Sequence, residues 1–398
     1  MKKNQIQIMD LTTLKAVVFE LGNTIIPSRF EKAQQPDSST IQLGFRTLEN
    51  LTWIEISWLA DAPRIVKIDS PKKIGDKSTL AKQLHHLLSH LALVEIKQTG
   101  FERIVQFGLA SRPGSVIEKI LIIELMGRHS NFLILDEEYK VITLGKQVKE
   151  SQSRLRPIGT GDSYISPPGL KGITPSLNES FKIWKENLCL VPTTFKNALK
   201  NTYQGISPSI TLQLADKNNK KAKRIINQPV HEISDDNWAN IFERWTKWLL
   251  TIKDNNYSLC LDGPTEFIVW GNHQLHEKKK DISLFLGSYY KEKLTNRKLI
   301  NITNKIEKDL FDIKTDQLNQ LKSQTSLLEG IEEYLIMQEK ANNILSLVNP
   351  QKSQIIEAQN LFKKAKRKKK SRDSIIDRIT YHKKRIIDIE SSELFLIS

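Results

Sequence analysis

GFERIVQFGLASRPGSVIEKILIIELMGRHSNFLILDEEYKVITLGKQVK, residues 100–149 of a chain of 398, contains three short apolar runs separated by turn-forming residues. The runs cover residues 104–107, 119–126 and 131–135, and their length and content of Ile, Val and Phe are typical of β-strands. The segment Gly127-Arg128-His129-Ser130 separates the last two runs and predicts a tight turn. We therefore predict an antiparallel sheet in this part of the chain, because strands joined by a short turn pair antiparallel.

Residues on the N-terminal side extend this sheet and add helices to it. Apolar residues recur with helical spacing over 11–21 and again over 80–93, whereas residues 41–45 and 53–58 alternate as half-buried strands do. A cluster of proline and glycine from Pro157 to Pro175 then predicts a domain boundary. We therefore predict the fold class α+β, with an antiparallel-sheet domain over residues 1–172.

The next part, residues 173–287, is predicted to be mainly helical and contains a helix-hairpin-helix candidate. Its turn is Gly205-Ile206-Ser207-Pro208, between apolar residues spaced for two helices. Such a turn can bind a phosphate through backbone N–H groups at a helix N-terminus, and Gly205 and Ser207 would do so here. The same spacing fits a plain corner between two helices, in which Ser207 caps the second helix and Pro208 is its first residue. Both alternatives stay open at this point.

From Ser288 to Leu347 the chain contains no proline, and apolar residues recur at spacings of three and four. This pattern predicts one long helix with a coiled-coil seam, ended by Asn349-Pro350. A second helix is predicted over residues 353–389. Two such helices joined by a short turn make an antiparallel coiled-coil arm, which we predict for residues 288–398. The apolar cluster 394–397 is expected to pack on the first helix, where residues 294–302 would otherwise be partly bare.

Net charge is the first indication of function. The chain has 60 Lys and Arg against 45 Asp and Glu, and the resulting charge of +15 favours a polyanionic partner. Much of the excess lies between Lys363 and Arg385, a segment that contains twelve basic residues and only two acidic ones, Asp373 and Asp377. We call the dense part of this segment the basic stripe and predict that it binds RNA; a solvated helix surface without a partner is the alternative. The basic stripe consists of Lys363, Lys364, Lys366, Arg367, Lys368, Lys369, Lys370 and Arg372.

Enzymatic and membrane signatures are absent from the sequence. No phosphate-binding P-loop, dinucleotide-binding glycine motif, HExxH or CxxC occurs, and Cys189 and Cys260 lack metal-ligand spacing. We therefore predict no catalytic residue, no metal site and no cofactor. No apolar run approaches the roughly 20 residues of a membrane-spanning helix, and no signal peptide is recognised at the N-terminus. We expect a cytoplasmic protein that is not an enzyme and has no membrane partner.

Several motifs are similar to those of one known family. The most specific is the run from Ile123 to Asn131, IELMGRHSN, which is followed by LILD from Leu133 to Asp136. On these residues the chain resembles the NFACT family, whose bacterial members include the fibronectin-binding protein A homologues. The family's other marks fall on Arg154, Tyr164, Pro167-Pro168, the turn from Gly205 to Pro208, Tyr289-Tyr290 and the segment from Ala358 to Lys364.

The resemblance implies a function in ribosome-associated quality control. Members of the family bind large ribosomal subunits that hold a stalled nascent chain linked to tRNA. In bacteria they recruit alanyl-tRNA, so that the ribosome adds a C-terminal tail that marks the nascent chain for proteolysis. The coiled-coil arm contacts the ribosome, and two N-terminal motifs handle tRNA. The resemblance places these two motifs on Glu102, Arg103, Glu124, Leu125, Met126 and Arg128.

The chemistry of these residues agrees with contact to RNA. Arg103 and Arg128 offer planar guanidinium groups that suit a phosphate or the edge of a base, and Glu124 can accept a hydrogen bond from a base amine. The alternative for Glu124 and Arg128 is a structural salt bridge within the strand-turn-strand unit. From the residues alone the two interpretations are even, and the resemblance favours RNA.

The chain departs from the family pattern at three points. Glu102 replaces the usual Asp, and the connection between the two coiled-coil helices is short, at residues 349–352. The sequence also stops at Ser398, before the family's C-terminal RNA-binding domain, NFACT-R. We therefore expect a member that lacks this domain, either naturally short or truncated.

Two other functions are weighed against the leading one. The layout is similar to that of formamidopyrimidine-type glycosylases, but these enzymes need a catalytic Pro-Glu at the N-terminus, and the first proline here is Pro27. A fibronectin-binding adhesin is the second alternative, and the lack of a recognisable signal peptide argues against it.

Overall fold

The structure is a computed structural model, and it describes residues 6–397 apart from 75–77, 154–155, 272–280, 330 and 332. Arg154, one of the marks of the resemblance, lies outside the described residues. The chain forms two compact units, Met1–Leu294 and Thr295–Ser398. The predicted division into domains at 172 and 287 stays a prediction.

The first unit contains an antiparallel sheet, which confirms the predicted fold class α+β. Within the described residues nine strands form this sheet, in the order β4-β3-β2-β1-β5-β6-β7-β8-β9. Every neighbouring pair is antiparallel. The strands are β1 (Ser28–Asp37), β2 (Thr40–Arg46), β3 (Leu51–Ser57), β4 (Arg64–Ile68), β5 (Ala92–Gln98), β6 (Ile104–Ala110), β7 (Lys119–Glu124), β8 (Asn131–Leu135) and β9 (Val141–Leu144).

Helices follow and interrupt the sheet. In most of them an Asn, Asp, Ser or Thr precedes the first turn as the N-cap, the position at which these residues satisfy free backbone N–H groups. The helices of the first unit are α1 (Leu11–Ile25), α2 (Thr79–Leu88), α3 (Phe181–Cys189), α4 (Phe195–Thr202), α5 (Pro208–Ala215), α6 (Asn219–Asn227) and α7 (Asp235–Asp254), and α8 (Ile282–Glu329) begins in it.

Strand β7 is buried on both faces, which explains why its sequence does not alternate between apolar and polar residues. Leu121 and Ile123 join the large core that α1 and α2 form with one face of the sheet. Ile120 and Ile122 belong to a smaller core on the opposite face. The two cores hold the end of β7, where Glu124 lies, from both sides.

The helix predicted over residues 80–93 is too long. Helix α2 ends at Leu88, and His90 then adopts a left-handed φ of 70°, which turns the chain into β5. Leu93 consequently lies on a strand, where its side chain joins the large core.

The helical part of the first unit has a separate core built around tryptophan. Trp184 packs on Trp238 and on Trp245, with ring centroids 5.6 and 5.8 Å apart. Trp248 extends the cluster, and its indole N–H donates a hydrogen bond of 2.8 Å to the Thr12 hydroxyl of α1. This bond ties the helical part to the sheet.

The first turns of α8 are fastened to strand β4. The Ser283 hydroxyl accepts a hydrogen bond of 2.7 Å from the backbone N–H of Lys67, and the Lys67 ammonium lies 2.9 Å from Asp281. A side chain at Gly287 would overlap the main-chain oxygen of Lys67, so the close approach requires glycine. The helix begins six residues before the predicted start at Ser288 because these contacts lie upstream of the seam pattern.

The second unit holds the rest of α8 with α9 (Glu333–Leu345) and α10 (Lys352–Ile397). Helix α10 runs antiparallel to the others, as Lys368 pairs with Glu333 at 2.7 Å and Glu393 pairs with Lys314 at 2.9 Å. Buried alanines at 341, 358 and 365 allow α9 and α10 to approach closely.

The expected packing of the apolar cluster 394–397 is wrong for Leu394, which is 70% exposed. Phe395 and Leu396 line a shallow cavity together with Ile306 and Leu310 of α8, where Phe395 stays 80% exposed and Leu396 is half-buried. The side chain of Ile397 lies outside the described residues. Leu394 falls on the outer face of α10, since a helix cannot turn four consecutive residues to one side.

Candidate functional site

A cavity of about 530 Å³ in the first unit brings together residues that the sequence placed in two different domains. Its lining is mainly apolar, with a few charged groups among the apolar ones, as in many binding sites. Five of the predicted site residues line it: Glu102, Arg103, Met126, Gly205 and Ser207.

The turn between α4 and α5 forms one wall of this cavity. Gly205 has a φ of +75°, and a Cβ there would lie 2.7 Å from Phe101 Cδ1 and 2.9 Å from Leu11 Cδ2. Glycine therefore lets the turn pack against the sheet part of the unit, and the close approach that it permits is to protein rather than to a phosphate. Ser207 caps α5 by accepting a hydrogen bond of 3.0 Å from the backbone N–H of Ile210.

Asp10 joins this turn to α1 and was missed as a site residue. One of its carboxylate oxygens caps α1 by accepting from the Thr13 N–H at 2.9 Å, and the other accepts from the Ser207 hydroxyl at 3.0 Å. Ser207 thus uses its hydroxyl both as donor and as acceptor within the protein. Asp10 directly precedes the helical spacing of residues 11–21, where a helix N-cap is expected, and its separation of 197 residues from Ser207 hides the second role.

The first predicted tRNA motif, Glu102-Arg103, lies at the start of β6. The Arg103 guanidinium is half-buried, so its pKa is lowered by burial, although the carboxylates of Asp10 and Glu102 act in the opposite direction. Among the described residues its side chain has one hydrogen-bond partner, the main-chain oxygen of Met9, at a long distance of 3.5 Å. Glu102 accepts a hydrogen bond of 2.9 Å from the backbone N–H of Leu170. Arg103 is therefore a weakly bound cation at the wall of the cavity.

Glu124, from the second motif, is occupied by other protein groups. It is 1% exposed, and both of its oxygens bind the Arg156 guanidinium, at 2.6 and 2.9 Å. The Tyr164 hydroxyl donates to it at 2.9 Å, and burial with the Glu124 charge raises the pKa of Tyr164, which stays a donor. Glu124 thus forms a salt bridge, the kind of contact that the alternative interpretation describes, but its partner is Arg156 rather than Arg128.

The rest of the second motif divides between the core and the surface. Leu125 is fully buried, and its backbone N–H donates to the Arg103 oxygen at 2.9 Å, which joins the two motifs. Met126 lines the cavity, and Arg128 is exposed, with its Nε donating to His129 at 3.0 Å. Glu124 and Leu125 therefore offer no surface to RNA, whereas Met126 and Arg128 do.

The segment 156–172 closes one side of the cavity and is held by the carboxylates of both motifs. Glu124 binds Arg156 at its beginning, and Glu102 binds Leu170 near its end. The Gln204 side chain adds hydrogen bonds of 3.0 Å to the main-chain oxygens of Leu170 and Gly172. Since Leu170 also lines the cavity, these bonds fix the shape of its wall.

The basic stripe lies on α10, in the second unit. Lys368 is half-buried and pairs with Glu333, and Arg372 lies 4.0 Å from Asp373. The other members are exposed: Lys363, Lys364, Lys366, Arg367, Lys369 and Lys370.

Neither a metal-ligand cluster nor a membrane-spanning helix is found among the described residues. In the described part of the chain no group of three or more His, Cys, Asp and Glu side chains is placed to hold a metal ion. Nor does any helix among those residues combine the length and apolar character needed to cross a bilayer.

Comparison with known proteins gives a consistent result. A family model described as NFACT N-terminal and middle domains matches residues 10–348. The Rqc2 homolog RqcH of Streptococcus pneumoniae serotype 2 (strain D39 / NCTC 7466) is 26% identical over 284 residues, which are 70% of this chain and 47% of that protein. The protein of the same name from Streptococcus suis (strain 05ZYH33) is 29% identical over 203 residues, 50% of this chain and 36% of that one. The chain thus spans about half the length of the curated relatives it matches.

A solved structure shares the fold. The N-terminal part of the fibronectin/fibrinogen-binding protein from Streptococcus suis (FBPS) superimposes with a TM-score of 0.50 at 23% identity. The match covers 71% of this chain and 99% of that one.

Proposed function

The chain belongs to the NFACT family, and we propose that it is a non-enzymatic RNA-binding factor of ribosome-associated quality control in the cytoplasm. In this proposal it binds stalled large ribosomal subunits and recruits tRNA, specifically alanyl-tRNA, so that the ribosome extends the nascent chain with a C-terminal tail for degradation. The relatives named Rqc2 homolog RqcH support this assignment.

The single observation that carries the proposal is the shared cavity. Residues from two motifs far apart in sequence, Glu102-Arg103 and Gly205 to Ser207, meet Met126 there, although nothing in the composition required them to meet. Perturbed titratable groups inside an apolar cavity are common at functional sites. The Arg103 guanidinium is partly desolvated, and its hydrogen bond to the Met9 oxygen is long, so it can bind an incoming anion.

The residues divide into contact and positioning roles. Arg103, Met126 and the exposed Arg128 would contact the tRNA, since arginine binds phosphates and base edges through its planar fork. Glu102 and Glu124 would act indirectly, by holding the wall formed by 156–172. The exposed members of the basic stripe would bind ribosomal RNA phosphates through the second unit.

The test compares arginine pairs. The double variant Arg103→Gln, Arg128→Gln is cross-linked and purified through its tag. The amount of tRNA recovered with it should fall by roughly tenfold or more, because each lost arginine contact costs ~1–3 kcal/mol. Arg29→Gln with Arg112→Gln removes two exposed arginines outside the cavity and serves as the matched control.

Three measurements complete the experiment. Circular dichroism establishes that both double variants are folded, and gradient sedimentation follows their binding to large subunits, which should stay normal. Sequencing of the recovered RNA identifies the tRNA. Normal tRNA recovery in a folded Arg103 and Arg128 variant contradicts the assignment of these residues.

A further inference from the structure

Helix α6 carries a basic face that belongs neither to the cavity nor to the basic stripe. Lys220, Lys221 and Arg224 are exposed on one side of the helix, and Lys217 is exposed just before it. The opposite side is buried through Ala222 and Ile225 in the tryptophan-rich core. We refer to these four cations as the α6 face.

Within the isolated protein, the charges of the α6 face are placed unfavourably. Lys220 and Lys221 stand in the first turn, where the positive end of the helix dipole disfavours cations. Lys220 and Arg224 are four residues apart, the spacing at which like charges repel across one helix turn. None of the four cations forms an ion pair with another described residue. An anionic partner would relieve this repulsion.

A further repulsion reaches the next helix. Lys217 faces Lys247 of α7, and burial together with the Lys217 charge lowers the pKa of Lys247. The neighbouring carboxylate, Asp216, accepts a hydrogen bond of 2.7 Å from the backbone N–H of Asn218 and shapes the turn. Unfavourable charges that no other group of the protein offsets are expected mainly at functional sites.

The surroundings of the α6 face suit phosphates better than a peptide. From residue 216 to residue 228, every exposed side chain is Lys, Arg or Asn. Protein partners are anchored by apolar and aromatic groups, which this surface does not expose, whereas nucleic-acid backbones are bound by cations and amides. Asn218 already accepts from the N–H groups of Lys220 and Lys221, so binding would use the side chains rather than the helix terminus.

We infer that the α6 face binds the phosphate backbone of RNA, as a surface additional to the cavity and to the basic stripe. That the partner is RNA rests on the proposed function. That the α6 face is a binding surface is inferred separately, from its unpaired cations. Four cations on one helix and its N-terminal flank cover about two turns, so the α6 face suits a short stretch of one strand.

Salt-dependent binding of the full chain to a 20-base-pair RNA duplex tests the inference. The variant Lys220→Gln, Lys221→Gln, Arg224→Gln removes three charges, and glutamine keeps the helix because its helix propensity is close to that of lysine. Each lost phosphate contact lowers the log–log salt slope by roughly 0.7–0.9, so the slope should fall by about two units. Affinity in 0.1 M salt should fall by tenfold or more.

Two further variants make the result specific. Lys82→Gln, Lys182→Gln, Lys291→Gln removes the same number of charges from exposed sites elsewhere in the first unit and should bind RNA within twofold of wild type. The charge-preserving variant of the α6 face, with its lysines changed to arginine and its arginine to lysine, should bind as wild type does. Loss of binding in that variant overturns the inference, because charge would not be the cause.

The outcomes separate the inference from the proposed function. If wild type binds RNA and the Gln variant of the α6 face keeps the wild-type slope, the inference is wrong and the proposed function stands. If wild type binds no RNA, both are overturned. Displacement of RNA by poly-glutamate at equal charge concentration would assign the surface to an acidic protein and overturn the RNA partner.

Discussion

Glu102 and Glu124, one from each predicted tRNA motif, both bind groups of the same wall of the cavity. The Glu102 carboxylate accepts a hydrogen bond from Leu170, and the Glu124 carboxylate binds Arg156, so both hold the segment 156–172. The longer side chain of Glu102, compared with the Asp of the family pattern, reaches the Leu170 N–H at 2.9 Å. At both positions the acid holds the segment that forms this wall, and Glu102, Arg103 and Met126 line the cavity.

The first prediction concerns Glu124. Glu124→Gln removes the charge from a buried pair and leaves the Arg156 guanidinium with a neutral partner, so the free energy of unfolding should fall by about 2–4 kcal/mol. Urea denaturation measures the change. Glu150→Gln, at an exposed position nearby in sequence, should change the same quantity by less than about 0.5 kcal/mol. A stable Glu124→Gln variant that loses only tRNA binding would restore a direct contact role for this residue.

Which elements could be predicted follows from where their determinants lie. Strands β6, β7 and β8 were predictable because their apolar runs and the turn between β7 and β8 are local in sequence. Strand β5 was hidden, because Leu91 and Leu93 continue the apolar spacing of α2, whereas the helix ends at the non-helical Ser89 and the left-handed His90. The sequence predicted the motifs that line the cavity but not that they lie together. The contact between Asp10 and Ser207, for example, depends on how α1 packs against α5.

At the scale of elements, the start of α8 depends on a buried charge cluster. Glu20 of α1 accepts hydrogen bonds from the backbone N–H groups of Ile282 and Ser283, at 2.7 and 3.2 Å. The charged groups that face it are Asp281 and Lys67, which lies 3.5 Å away. Burial, with Asp281 adding to it, raises the pKa of Glu20 to about 7.

The second prediction is a pH dependence of stability. Since the pKa of Glu20 is higher in the folded state than its ordinary value of 4.5, the folded state binds more protons between these values, and stability falls as pH rises from about 4.5 through 7. The loss should reach at most about 3 kcal/mol. Glu20→Gln cannot titrate, so its unfolding midpoint should fall less than that of wild type between pH 5 and pH 8.

The control for this pH effect is Glu49→Gln, which alters an exposed carboxylate and should keep the wild-type pH profile. Chemical denaturation at five pH values gives the profile for all three proteins. Equal slopes for wild type and Glu20→Gln would show that another group is responsible.

At the scale of the whole molecule, the chain has a net charge of +15, and the proposed function assigns separate tasks to the cavity and to the basic stripe. The cavity holds a single weakly bound arginine, Arg103, and suits recognition of one ligand at one place. The basic stripe offers many exposed cations along one helix and suits a long phosphate backbone. Binding through two such surfaces raises the overall affinity beyond that of either one, because the second contact is made within the first complex.

The last prediction uses this division. Changing Lys363, Lys364, Lys369 and Lys370 to Gln removes four exposed charges from the stripe and leaves the pair of Lys368 with Glu333 intact. The salt slope for binding to purified large ribosomal subunits should fall by about three units, since each phosphate contact contributes roughly 0.7–0.9. Binding to isolated tRNA should change by less than twofold, because Arg103 and the rest of the cavity belong to the other unit.

Its matched control removes four exposed lysines from α8 in the same unit, Lys298, Lys305, Lys308 and Lys322. Both variants carry the same net charge, so a general loss of attraction to RNA would lower both slopes equally and would contradict a specific role for the stripe. A lower slope in the stripe variant alone, with normal tRNA binding, means that the stripe docks the protein on the ribosome while the cavity selects what is brought to it. Reduced tRNA binding in the stripe variant would instead mean that one RNA contacts both units, and the division of tasks between them would be wrong.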